Sequence, residues 1–343
     1  MTKAKTVKCL VWDLDNTLWD GTLLEGDVCP PRPAAIDLLR VLDERGILHS
    51  IASRNDRDAA GARLAALGLD DYFLCPEIDW GAKSASLRRI AAQLNIGLDA
   101  LAFVDDEPFE RAEVAAECPE VLVLDAADLA SIGERSEMRP RFVTDESRRR
   151  RHLYRAEEVR TAAEQSFAGP SEAFLAGLNM KLRFAPASAA DLARCEELTV
   201  RTNQLNTTGR PYSYDELERF SRSQEHKLLV AELDDRFGSY GKIGLALVEC
   251  RPDAWTIKLL LMSCRVMSRG VGTILINHLR DEARRAGVDL LAEFVPNDRN
   301  RMMYVTFKFN GFREVSDCDG AKLMRNDLTE LRRMPEYVEL IAA

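Results

Sequence analysis

Nothing in the 343-residue chain would cross a bilayer as a helix, for no apolar run of about eighteen residues occurs in it. The first five residues, Met1-Thr-Lys-Ala-Lys, lack an apolar stretch followed by a small-residue cleavage site, so no secretory leader is read there and a cytoplasmic location is expected. Histidine is scarce, at 4 residues, and the 8 cysteines are scattered, with no C-x-x-C pair and no histidine at ligand spacing. That excludes a zinc site or a disulfide framework. A basic excess is also missing. Lys and Arg total 47 against 56 Asp and Glu, a net charge of −9, which argues against nucleic acid as a partner. What is present is a globular balance, 46% hydrophobic and 30% charged, over a length suited to two domains.

The first half is organised around Lys8-Cys-Leu-Val-Trp-Asp13-Leu-Asp15-Asn-Thr17-Leu-Trp19. An apolar run over 9–12 suits a strand of a parallel sheet covered on both faces, and ligand sites in such sheets lie beyond the carboxyl ends of the strands. Two acids this close repel one another unless a cation or a shared proton intervenes, so a metal is expected there. Downstream, 33–46 reads as an amphipathic helix closed by Gly46, 48–53 as a strand ending in Ser53, and 57–67 as a helix stopped by Gly68. A strand is predicted over 72–75, a helix over 83–94 and a strand over 101–106 ending in Asp105 and Asp106, with a last strand over 121–124. Alternating strands and helices predict a doubly wound α/β domain.

Asp13, Asp15 and Thr17, then Ser53, Lys83, and Asp105 with Asp106 all fall at strand ends or helix starts. Each type serves a different need of phosphoryl transfer. One carboxylate attacks phosphorus, a second handles the leaving oxygen's proton, a hydroxyl and an ammonium hold the other oxygens, and further carboxylates hold Mg²⁺. In this order the residues resemble the four motifs of the haloacid dehalogenase (HAD) superfamily, over residues 8–125. The resemblance implies Asp13 as nucleophile and Asp15 as general acid and base. It implies that Ser53 and Lys83 hold phosphate and that Mg²⁺ lies among Asp13, Asp15 through its main-chain carbonyl, Asp105 and Asp106. Thr17, Arg54 and Asn55 join the phosphate-binding candidates. The short segment 20–30 leaves no room for a large cap, which suits a substrate presented by another protein or domain.

Residues 134–177 are dense in charge and are expected to form a helical linker between a domain over 1–133 and another over 178–343. The run Arg148-Arg-Arg-Arg151 reads either as a solvated helix face or as a docking patch for an acidic partner. The second half begins with an alternating strand over 180–184 and a helix over 190–200, followed by the polar loop Thr202-Asn203-Gln204-Leu205-Asn206-Thr-Thr-Gly209 and a helix over 214–221. Strands are predicted over 227–233 and 242–250, joined by a turn-rich loop over 234–241. A long strand over 255–264 then enters Arg265-Val-Met-Ser-Arg269-Gly270-Val-Gly272 and a helix over 273–286, followed by a strand over 290–295 and a helix over 300–309. Gly270, Gly272, Arg265 and Arg269 at a helix start form a candidate anion nest. Cys264 beside Arg265 reads either as a buried structural thiol or as a nucleophile favoured by its basic setting.

With 300–312 this half resembles the GNAT acetyltransferase fold, although Met267 stands where that family usually carries Gln or Arg. Read together with Asp13-Leu-Asp-Asn-Thr-Leu-Trp19, the segments Arg201-Thr-Asn-Gln-Leu-Asn206 and Ser263-Cys-Arg-Val-Met-Ser-Arg-Gly270 resemble the FkbH-like glyceryl transferase/phosphatase family of polyketide pathways. That resemblance implies 1,3-bisphosphoglycerate as substrate and an acyl carrier protein, through its phosphopantetheine arm, as partner. It also implies Cys264 as the acyl-bearing thiol, with Asn203, Gln204 and Asn206 beside the substrate. Two alternatives stand: a small-molecule HAD phosphatase fused to an acetyl-CoA-dependent acetyltransferase, and a carrier-binding scaffold with an inert HAD site.

Overall fold

The computed structural model describes residues 6–318, 320–329 and 335–342. The chain divides into two compact units, residues 1–155 and 156–343. Residues up to Arg155 belong to the first unit and later ones to the second, and the cut falls inside one helix, Arg150–Ser166, within the stretch 134–177 expected as a helical linker. The basic run is not solvated throughout: Arg148 and Arg149 are exposed, and Arg150 is buried. Arg151 donates to Asp43 at 3.1 Å, pairs with Asp71 and lies 4.4 Å from the Tyr72 ring, because acidic residues of the same unit stand opposite it.

In the first unit the elements follow as β1 (Cys9–Trp12), α1 (Pro33–Glu44), β2 (Leu48–Ser53), α2 (Arg57–Ala66), β3 (Glu77–Ile78), α3 (Lys83–Gln93), β4 (Leu101–Asp105), α4 (Pro108–Glu117) and β5 (Leu122–Asp125). The short helices α5 (Leu129–Ile132) and α6 (Asp145–Arg148) and the boundary helix α7 (Arg150–Ser166) close it. The strands form a parallel sheet in the order β3-β2-β1-β4-β5. Both faces are covered, which is why β1 reads as an unbroken apolar run. Leu10 and Trp12 join one core cluster, and Cys9 and Val11 join the other. Burying a side chain of this size contributes about 1.5–3 kcal/mol, so both faces help hold β1 in place. The strand predicted over 72–75 is displaced to Glu77–Ile78, since Cys75 takes a left-handed φ of 49° that breaks an extended run.

The second unit continues with α8 (Ser171–Gly177), β6 (Met180–Pro186), α9 (Leu192–Arg201), α10 (Tyr214–Arg222), β7 (His226–Asp235), β8 (Gly238–Cys250) and β9 (Ala254–Met262). After these come α11 (Val271–Ala286), β10 (Asp289–Phe294), α12 (Arg301–Phe309), β11 (Phe312–Cys318), β12 (Ala321–Asn326) and β13 (Val338–Ala342). Its mixed sheet runs β11-β12-β10-β9-β8-β7-β6-β13. The loop expected over 234–241 is mostly strand: β7 and β8 pair out to Asp235 and Gly238, with register shifts absorbing the glycines that read as turn signals. The last three strands were not anticipated. Parallel β9 and β10 pair only from Asp289↔Ala254 to Ala292↔Ile257. Past that point Thr207 lies between them, donating its N–H to the Leu260 carbonyl at 3.1 Å and accepting from Val295 at 2.9 Å.

Candidate functional site

The carboxyl ends of β1, β2 and β4 and the start of α3 bring four of the sequence signals together. Lys83 is buried in the first turn of α3; its ammonium donates to Asp13, to Asp105 Oδ2 at 3.1 Å and to the Ala52 carbonyl at 2.9 Å. Ser53 ends β2 beside them, and its hydroxyl favours the charged form of the Asp13 carboxylate. Asp13 is fixed from the backbone side by its own N–H, which donates to the Val104 carbonyl of β4 at 3.0 Å. Asp13, Asp105 and Asp106 place carboxylate oxygens within 4.8 Å of one another. Thr17 holds the last of these, accepting from the Asp106 N–H at 3.0 Å.

The electrostatics follow from crowding acids in a dry place. Burial pushes the Asp13 carboxyl up to about 7, Asp105 adds to the push, and Lys83 and Ser53 oppose it. Burial alone would lower Lys83, but Asp13 and Asp105 outweigh it and hold the ammonium above its ordinary value. Asp106 is raised as well, by burial first and then by Asp105. A set of three convergent carboxylates is a hard oxygen donor set and fits Mg²⁺.

The Asp15 side chain, whose main-chain carbonyl was the expected metal contact, has partners of its own. Its Oδ1 accepts from the Trp19 indole at 2.7 Å and from the Leu23 N–H at 3.2 Å, while Oδ2 accepts from Asn55 at 3.0 Å. Three donors hold this carboxylate, which is not one of the three clustered acids, and Asn55 serves as its orienting partner. Arg54 reaches the Gly81 carbonyl at 3.2 Å and Glu110 at 2.7 Å. Arg111 clamps the Asp105 and Asp106 carbonyls at 2.8 and 2.7 Å. Trp19, Glu110 and Arg111 escaped sequence reading, because nothing in their types or spacing announces such contacts. Between Asp15 and α1 the described residues form only a short 3₁₀ turn, Leu23–Glu25, so no cap-sized segment interrupts this stretch.

The other candidates lie in the second unit. Cys264 is half-buried at the start of a 3₁₀ turn, Cys264–Arg269, just past β9. Two bonds anchor the residues before it: Met262 N–H to the Leu205 carbonyl at 2.8 Å and Ser263 N–H to the Ile243 carbonyl at 2.6 Å. The loop holding Asn203, Gln204 and Asn206 is thus brought alongside the end of β9, where Asn206 bridges Leu261. Asn206 itself is buried and spent on its own loop, accepting from the Thr208 and Gly209 N–H groups at 3.1 and 2.8 Å. Arg269, read as an anion ligand, is 1% exposed and turned onto Glu164 at 2.9 Å and Glu157 at 3.5 Å. Two glutamates of α7 neutralise it, so it is a structural cation. Arg265 donates to the Ser263 hydroxyl at 3.3 Å. The glycines at the start of α11 answer to packing. A Cβ on Gly270, whose φ is +73°, would lie 2.7 Å from the Tyr337 hydroxyl, and one on Gly272 would lie 2.9 Å from Met262.

No family model and no curated protein matches this chain. Solved structures do. The N-terminal part of the protein BF1531 from Bacteroides fragilis, containing a phosphatase domain complexed with Mg, is 30% identical over 37% of this chain and 39% of its own length, with a TM-score of 0.33. This chain therefore spans about two fifths of that structure. The ribosomal-protein-S18-alanine N-acetyltransferase from Escherichia coli is 18% identical, over 42% of this chain and 92% of its own, with a TM-score of 0.34. The spermidine N-acetyltransferase from Vibrio cholerae, solved with CoA and spermine, is 17% identical, over 42% and 92% of the two chains, at a TM-score of 0.34. Roles for this chain rest on its own side chains.

Proposed function

We propose that the protein is a two-site enzyme, a Mg²⁺-dependent phosphatase joined to a thiol acyltransferase. The observation that carries the first half is the Lys83 ammonium bridging Asp13 and Asp105 beside Ser53, with Asp106 completing a three-carboxylate cluster. Asp13 attacks phosphorus, the leaving alcohol takes a proton from Asp15, and water then cleaves the aspartyl phosphate with Asp15 as base. Lys83 and Ser53 hold phosphoryl oxygens while charge redistributes. Mg²⁺ held by Asp13, Asp105 and Asp106 would neutralise phosphoryl charge.

In the finer reading Cys264 attacks the acyl phosphate carbonyl of 1,3-bisphosphoglycerate and expels phosphate. The 3-phosphoglyceryl thioester is dephosphorylated at Asp13, and the glyceryl group passes to the pantetheine thiol of an acyl carrier protein. Supporting it are the half-buried Cys264 at a doubly anchored strand end and the match of motifs across both halves. The test is intact-protein mass spectrometry with 1,3-bisphosphoglycerate and Mg²⁺. The wild type should gain an acyl mass that Cys264→Ala lacks, and Asp13→Asn should retain the phosphate on that acyl group. Equal labelling of wild type and Cys264→Ala removes the thioester role; phosphate release by Asp13→Asn at the wild-type rate removes the nucleophile.

A further inference from the structure

Arg54 follows Ser53 at the carboxyl end of β2, and its guanidinium is held by the loop before α3 and by the first turn of α4. Nε donates to the carbonyl of Gly81, which follows Trp80, and Nη1 pairs with Glu110, which follows Phe109. No described residue bonds Nη2, and the side chain keeps 40% of its surface exposed. Glu110 is buried, and its second oxygen, Oε2, has no hydrogen-bond partner among the described residues. Trp80 and Phe109 are 67% and 69% exposed. Single exposed apolar residues are ordinary. Here the two aromatics immediately precede the two anchors of one arginine, Trp80 on the loop between β3 and α3 and Phe109 in the first turn of α4, at the end of the sheet where the reacting carboxylates converge.

We propose that Arg54, Glu110, Trp80 and Phe109 form the recognition rim for the part of the substrate beyond its phosphate. Resting on the phosphatase reading above, this commits the rim to one occupant: a phosphate monoester whose organic part carries a carbonyl and continues into a pantetheine-like thioester arm. The remaining N–H edge of Arg54 suits the carbonyl oxygen, a planar acceptor matched to a planar donor. Glu110 fixes the angle of that edge and is a positioning residue. The two rings offer large, rigid apolar surface to the methyl-bearing arm at low entropic cost. A small phosphate ester without such an arm reaches Asp13 and Lys83 but gains nothing from the rim.

The test compares Mg²⁺-dependent hydrolysis of glycerol 3-phosphate with that of the 3-phosphoglyceryl thioester of pantetheine, using the full chain. The double variant Trp80→Ser/Phe109→Ser should lose about tenfold in the ratio of the two kcat/KM values, chiefly through KM for the thioester. Glu110→Gln should move the ratio in the same direction, and Trp80→Phe should largely restore it. Hydrolysis of both esters with a ratio unchanged within about twofold in the double variant overturns the rim while leaving the phosphatase in place. Failure of the wild type to hydrolyse either ester overturns the phosphatase reading and the rim with it.

Discussion

Asp15 and Asp13 lie two residues apart, yet their neighbours give them different surroundings. Asp13 shares Lys83 and Ser53 and crowds against Asp105, whereas Asp15 is held by Trp19, Asn55 and the Leu23 N–H. Such divergence within one loop is what nucleophilic and acid–base roles require. Another buried residue governs stability rather than chemistry. His49 is 1% exposed, accepts the Trp12 indole N–H at Nδ1 and donates from Nε2 to the Leu39 carbonyl, both at 3.0 Å, so it is built for the neutral ring. Burial brings its pKa down to about 3. The unfolded chain therefore takes up a proton first as pH falls below the ordinary value, and stability drains away from there down to about 3. The loss is about 1.4 kcal/mol per pH unit below that value. In urea unfolding at pH 7.5 and pH 5, the wild type should lose about 2 kcal/mol more than His49→Gln between the two conditions.

At the scale of the element, strand ends and helix starts deliver the chemistry, and they do so from apolar runs that are easily read. β1, β2 and β4 were legible because parallel strands buried on both faces have little choice of composition. β11, β12 and β13 were not. Their exposed or partly exposed faces carry charge, as in Arg313, Glu314 and Lys322, and pairing across the sheet supplies what local pattern does not. The end of α1 shows how tightly an element boundary can be set. Gly46 has φ +71°, and a Cβ there would lie 2.8 Å from the Ser147 carbonyl oxygen, while Gly68 past α2 has φ +67° with nothing within 4 Å. Gly68→Ala should cost about 1 kcal/mol of backbone strain, and Gly46→Ala about 2–4 kcal/mol because the Ser147 backbone must also move. Chemical denaturation of the two variants measures the difference.

At the scale of the whole molecule, each unit has its own sheet and its own core, and all residues of the three-carboxylate cluster belong to the first. Separate cores permit separate unfolding. In scanning calorimetry Mg²⁺ should raise the transition of the first unit and leave that of the second in place, with chelator reversing the shift. At a Mg²⁺ concentration about a hundred times its dissociation constant the stabilisation is about 2.7 kcal/mol. The Asp13→Asn variant, lacking one carboxylate of the cluster, should show a smaller shift.

By itself the sequence determined the doubly wound first half, the strand end or loop on which each acid sits and the set of residues brought to the carboxyl end of the sheet. Strand period, chain order and helix punctuation are local properties, and they suffice for that much. Only the tertiary structure decided which acids face one another, that Asp15 turns its carboxylate to Trp19 and Asn55, and that Arg269 is consumed by Glu157 and Glu164. Such choices depend on partners as much as 112 residues away in the chain, brought close by packing and sheet register rather than by anything in the flanking sequence.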